Sequence, residues 1–249
     1  MAVHRALAPC YPLAQRAFVD PQSTDINLPN APVPLFPLPG VFLFPHQVLP
    51  LHVFEPRYRA MVRDLLDGPG RLVIASTAIG GRESTTGEPA VVPVAGLGEI
   101  LRHEHLADGR YLLWVVGLCR VHLQEVASER PYRLVECLPF VETAVPAPEA
   151  AGLARELRAA TTARLKDSLP LPDSTPPGLL ADLLVQTLQP ERALVERAFA
   201  EPDVRTRARL ALQEAARRTA HGDETGPGQT GDDEDGDGEN DDDENGDGA

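Results

Sequence analysis

The stretch PVPLFPLPGVFLFPHQVLPLHVF, residues 32–54, carries the strongest structural signal in the chain. It is strongly apolar, and prolines interrupt it at positions 32, 34, 37, 39, 45 and 50. Each proline removes a backbone donor, so neither a single helix nor a single central strand can run through it. The segment reads as short strand pieces near 33–38 and 50–54, joined by an irregular apolar loop.

Downstream the period changes. Tyr58, Met61, Val62, Leu65 and Leu66 fall at helical spacing and form one apolar stripe. Pro56 suits the first turn, Glu55 complements the positive helix end, and Gly68-Pro69 stops the helix. Strand-like runs follow: RLVIASTA (71–78), AVVPVAGLGEILRHEHL (90–106) and YLLWVVGLCRVHLQEV (111–126), the last two joined at Ala107-Asp108-Gly109 as a long hairpin. Residues 79–88 read as an exposed loop, and YRLVECLPFVE (132–142) as the last strand. Tyr111 to Cys119 is apolar on both faces, as expected of a central strand in a closed or covered sheet, with Trp114 in the core. Several strands and one helix predict a small, partly closed β-barrel.

Beyond residue 145 the pattern becomes helical. Leucine- and alanine-rich segments at 149–167, 178–188, 191–200 and 203–218 are separated by Pro172, Pro176, Pro177, Pro190 and Pro202. The class is therefore α+β, with a barrel at 32–145 and a helical bundle at 146–220. Residues 1–31 lack a sustained period and read as a flexible arm. Residues 221–249 carry no large apolar side chain and read as a disordered acidic tail.

The formal charge of −14 belongs to that tail. Thirteen acids and no Lys or Arg lie between Asp223 and Ala249, leaving 24 acids against 23 bases in residues 1–222. A near-neutral body argues against nucleic acid as the main partner. Cys10, Cys119 and Cys137 are too few and too widely spaced for a disulfide framework or a zinc ribbon, which fits a reducing, cytoplasmic setting. No apolar run is long enough to span a membrane, so no membrane partner is expected.

PLFPLPGVFLFPHQVLPLHVFEPRYRAMV (34–62) resembles the opening of the substrate-binding domain of the Lon proteases. Pro34, Leu35, Phe36, Pro37 and Leu38 match that family's first strand. Phe44 and Pro45 match the loop, and Pro50, Leu51, Phe54, Glu55, Arg57 and Tyr58 match the entry to the first helix. Gly98, Ile100, Gly117 and Arg120 fit its second block, and PYRLVECLPF (131–140) its third; Glu99 departs from it, standing where the family often has a small residue. The resemblance spans roughly residues 32–219, the helical part in pattern only. It implies a PUA-like barrel followed by a helical bundle. It further implies capture of unfolded or exposed polypeptide segments, with a protease or chaperone as partner in protein quality control, no cofactor and no catalytic residues.

Residue chemistry points the same way. A P-loop needs a Lys after a glycine-rich loop, and the single lysine, Lys166, has none before it. Ser168, two residues on, does not share a helical face with it. No nucleophile–base signature appears, so no enzyme is expected. His103 and His105 share a strand face but lack an evident third ligand, and read as an exposed hairpin rather than a metal site. Asp233, Asp235, Asp237, Gly238 and Glu244 match an EF-hand loop formally, but no amphipathic helices flank them. Phe42, Phe44 and His46 in the apolar loop, with Arg57 and Tyr58 at the helix entry, are the candidate peptide-binding residues; packing inside the molecule is the competing reading for each. The alternative function is an RNA-associated module on a PUA-like barrel, against which the neutral body and acidic tail stand.

Overall fold

The computed structural model describes residues 27–80, 88–165 and 171–222. Most of the arm, part of the 79–88 loop, Cys10, Lys166, Ser168 and the formal EF-hand run lie outside the described residues. Asn27 and Leu28, assigned to the arm by sequence, contact the barrel. Leu28 packs against the cluster that contains Val33 and Leu35, and the Asn27 carbonyl accepts from Arg71 at 2.9 Å.

Six strands form the sheet: β1 (Val33–Leu38), β2 (Val48–Val53), β3 (Arg71–Ser76), β4 (Val94–His105), β5 (Tyr111–Val126) and β6 (Leu134–Pro139). Their order is β2-β5-β4-β3-β1-β6, and β6 returns to pair with β5. The long β5 organises the ring. One of its edges pairs with β4; along the other, Tyr111–Val116 pairs with β2 and Val121–Val126 with β6. β6 then reaches β1 only at Val33 and Pro34, while Leu35–Leu38 of β1 pairs with β3. The barrel is thus closed on the β6 side and open between β1 and β2.

Pro50 sits inside β2, which therefore begins two residues earlier than the expected 50–54. The Gln47 carbonyl accepts from the Gly117 N–H at 2.8 Å. By alternation, Leu49, Leu51 and Val53 turn their peptide groups to β5, and Val48, Pro50 and His52 turn theirs outward. On an outward edge the missing donor of Pro50 costs no ladder bond.

Helix α1 (Pro56–Leu66) crosses between β2 and β3 and buries Tyr58, Met61, Val62 and Leu65 against the barrel interior. The bundle comprises α2 (Ala147–Thr162), α3 (Pro177–Leu188), α4 (Arg192–Ala200) and α5 (Val204–Ala220). Proline occupies the first turn of α2 and α3, and Asp203 caps α5 by accepting from the Thr206 N–H at 2.7 Å. Gln189, left-handed at φ 46°, and Pro190 end α3.

The strap formed by residues 39–47 joins the two parts. Leu43 points into the barrel core, while Phe42 and Phe44 enter the bundle core beside Leu180, Leu184 and Phe199. The strap passes so close to β4 and β5 that only glycine fits beneath it. A Cβ at Gly117 would run into the Phe44 carbonyl, and one at Gly96 into the Leu43 carbonyl. The strap ends in a tight turn in which the Gln47 N–H donates to the Phe44 carbonyl at 3.2 Å. Pro45 presets its first corner, and His46 takes the second at φ 64°, a position usually held by glycine.

Candidate functional site

A groove of about 400 Å³ opens in the barrel wall between the end of β1 and the end of β2. Phe36, Pro37, Leu38 and Pro39 line one side. His52, Val53, Phe54, Glu55, Arg57 and Tyr58 line the other, with Thr77 and Pro89 completing the rim. Phe54 is 61% exposed although it is a large aromatic, because it continues the outward phase of Val48, Pro50 and His52 opposite the inward Leu49, Leu51 and Val53. His52 lies beside it at 6.0 Å between ring centroids. The lining is chiefly apolar, with one charged cluster at the helix entry.

That cluster fixes Arg57. Its guanidinium donates to Glu55 at 3.0 Å and to Glu88 at 2.7 Å and lies 4.7 Å over the Tyr58 ring. Burial opposes its charge, but the hydrogen bond to Glu88, then the Tyr58 and Glu55 contacts, hold its pKa above the usual value. Burial pushes the Tyr58 phenol upward, opposed by Arg57 and reinforced by Glu55 and Glu88. Tyr58 itself is buried, with its ring 4.4 Å from Phe36, so it forms the floor of the groove rather than its rim.

The five sequence candidates separate. Arg57 and Tyr58 line the groove. His46 is exposed but belongs to the turn that precedes β2, outside the lining. Phe42 and Phe44 are 8% and 2% exposed, with their rings 5.4 and 5.0 Å from Phe199. Packing between barrel and bundle occupies both rings, so this surface is not presented to a peptide; each buried Phe contributes about 1.5–3 kcal/mol to holding the two parts together. Sequence reasoning missed Phe54 and His52 as candidates. In sequence Phe54 matches the family only at the helix entry; the signal that could have found it is the period-two phase it shares with His52, opposite Leu49, Leu51 and Val53.

One further expectation changes. Trp114 lies on the outer face of β5, half-buried beneath the Arg102 guanidinium at 4.9 Å. The reason is alternation: Tyr111, Leu113 and Val115 point inward, which sends Leu112, Trp114 and Val116 outward. Their face is half-exposed rather than covered. Glu99, the departure from the family pattern, faces Arg71 across the strand pair at 3.4 Å.

His103 and His105 are both exposed, and His105 stacks on Tyr111 at 4.6 Å. Among the described residues no three or more His, Cys, Asp or Glu side chains are grouped to hold a metal ion. Burial pushes the Cys119 and Cys137 thiols up to about 11, far from the range of a reactive thiolate. No described helix is long and apolar enough to cross a membrane.

The fold is thus an α+β, PUA-like barrel, open on one side and sealed to a helical bundle. The sequence profile of the ATP-dependent protease La (LON) substrate-binding domain matches residues 32–217, and the chain belongs to that family. It is 30% identical over 214 residues to Lon protease 2 of Sorangium cellulosum, covering 80% of this chain and 26% of that protein. With the Lon protease of Desulfosudis oleivorans it shares 22% identity over 206 residues, covering 80% of this chain and 25% of the relative. The chain thus spans about a quarter of the length of these relatives. Among solved structures, the N-terminal domain of a Mycobacterium avium complex Lon protease superposes with a TM-score of 0.55 at 19% identity, covering 75% of this chain and 98% of that one. The Lon N-terminal domain protein of Xanthomonas campestris gives 0.53 at 19% identity, covering 74% and 98%. Both likenesses establish the shared fold.

Proposed function

We propose that this chain is a non-catalytic module that binds exposed apolar polypeptide segments in the groove between β1 and β2, acting in protein quality control beside a protease or chaperone. One observation carries the reading: an apolar opening in the barrel wall keeps Phe54 in solvent at its rim, while the other five described phenylalanines are buried or half-buried. An exposed aromatic at the mouth of an apolar cleft supplies large contact area at small conformational cost. Membership of the Lon substrate-binding family supports polypeptide as the class of ligand. The absence of a P-loop pattern from the 249 residues supports binding without nucleotide.

Fluorescence titration with a denatured client protein, in the absence of nucleotide, tests this. Saturable binding is expected, with no cleavage of the client. No binding at high micromolar concentration rejects the reading.

A further inference from the structure

Resting on the reading of the groove as a peptide site, we propose the mode of capture: the client adds as an extended strand along the outer edge of β2 and is held through its backbone. Among the described residues β2 pairs with β5 alone, and Leu35–Leu38 of β1 pairs with β3 alone. The groove therefore lies between two strand edges.

The two edges are not equivalent. The Leu38 carbonyl accepts from Thr77 toward β3, whereas the Leu35 N–H donates to the Arg133 carbonyl on the opposite side. Pro37, two residues from Leu35, shares its direction and has no N–H to give. The β1 side is an apolar wall. On the β2 side, Val48 and His52 direct N–H and C=O groups outward, and Pro50 adds a carbonyl. His52 belongs both to this edge and to the groove lining.

The sequence of β2 supplies a second, independent observation. Exposed edges are commonly guarded by charge, yet VLPLHV contains no Lys, Arg, Asp or Glu. Val48, Pro50 and His52 are all exposed, and Pro50 is the only guard. An incoming strand that bonds to this edge turns alternate side chains into the groove, against Phe36, Leu38 and Phe54. The ligand class is thus an extended segment with apolar side chains at every second position and an unbroken run of backbone N–H groups.

The test uses the full chain and a short fluorescein-labelled apolar peptide, N-methylated at one position at a time. N-methylation at every second position is expected to weaken binding about tenfold, the loss of one hydrogen bond, with little effect at the positions between. A parent peptide that binds but is indifferent to N-methylation throughout overturns strand addition and leaves the groove reading intact. A parent peptide that does not bind rejects both. In the protein, His52→Pro removes an outward donor, and His52→Ala controls for the side chain. About tenfold weaker binding by His52→Pro than by His52→Ala is expected; equal affinities overturn the proposal. If His52→Pro does not fold, the peptide scan decides alone. Dimerisation of the chain in competition with peptide, seen by sedimentation, also overturns it, since the edge would then serve a second copy.

Discussion

Arg120 of β5 donates to Asp182 of α3 at 2.7 Å, with both side chains almost completely withdrawn from solvent, and this contact ties the barrel to the bundle. Arg120 also donates to the Phe199 carbonyl at 2.9 Å and to Glu142 at 3.1 Å. Arg207 of α5 approaches Asp182 at 3.0 Å and Glu142 at 2.8 Å, completing the cluster. Two buried guanidiniums thus depend on Asp182 and the half-exposed Glu142. Removing one partner from such a group leaves charge uncompensated, at a cost of about 3–5 kcal/mol. Asp182→Ala is expected to lose stability on that scale in urea unfolding. A loss below about 1 kcal/mol would show that the cluster does not hold the two parts together.

The strap makes a second prediction through Gly117. A methyl group there meets backbone rather than a flexible side chain, so Gly117→Ala should cost about 1–3 kcal/mol or more. Gly152, within α2 and with open space around its Cβ position, is the matched contrast. Gly152→Ala should gain up to about 1 kcal/mol from helix propensity. Thermal unfolding of the two variants separates a requirement for glycine from an accident of composition.

At the turn before β2, His46 carries a left-handed backbone at φ 64°. A side chain in that region costs roughly 1–2 kcal/mol relative to glycine's freedom there, partly offset by glycine's own entropy. His46→Gly should therefore raise the unfolding midpoint, and peptide affinity should be unchanged because His46 lies outside the groove. A marked fall in affinity would return His46 to the binding surface.

Glu214 of α5 gives a prediction in pH. Hydrogen bonds from Arg217 at 2.8 Å, and then from Arg218 at 2.9 Å, hold its carboxyl down to about 2 against the opposing effect of burial. Its folded pKa lies below the unfolded value of about 4.3, so its contribution is complete above that pH and fades as the pH falls toward 2. Glu214→Gln should be less stable than wild type at neutral pH, with the difference closing in acid. A difference that does not vary with pH would assign the loss to packing instead.

Most of the architecture was legible because period and punctuation agreed. The α1 stripe from Tyr58 to Leu65, the hairpin about Asp108 and Gly109, and the proline-separated helices all appear near their expected positions. Pro50 misplaced the start of β2, since only the outward direction of its nitrogen makes a proline harmless in that strand. The site was less legible. Aromatic side chains in a loop look alike in sequence whether they meet water or a second structural unit. Phe42 and Phe44 turned inward because Phe199, far along the chain, supplies their partner. Phe54 turned outward because it shares the outer phase of β2 with His52, opposite the buried Val53. The Arg120–Asp182 contact likewise joins residues with no local signal of their proximity, although Arg120 stood out through the family pattern.

Peptide titration of Phe54→Asp against wild type, with Val141→Asp as an exposed control outside the groove, separates groove binding from adhesion to any exposed apolar side chain. If the groove holds peptide, Phe54→Asp binds an apolar peptide at least about tenfold more weakly, through loss of aromatic burial and repulsion of the apolar ligand, while Val141→Asp binds as wild type and both variants melt normally. Undiminished binding by a folded Phe54→Asp, or an equal loss in Val141→Asp, would contradict it.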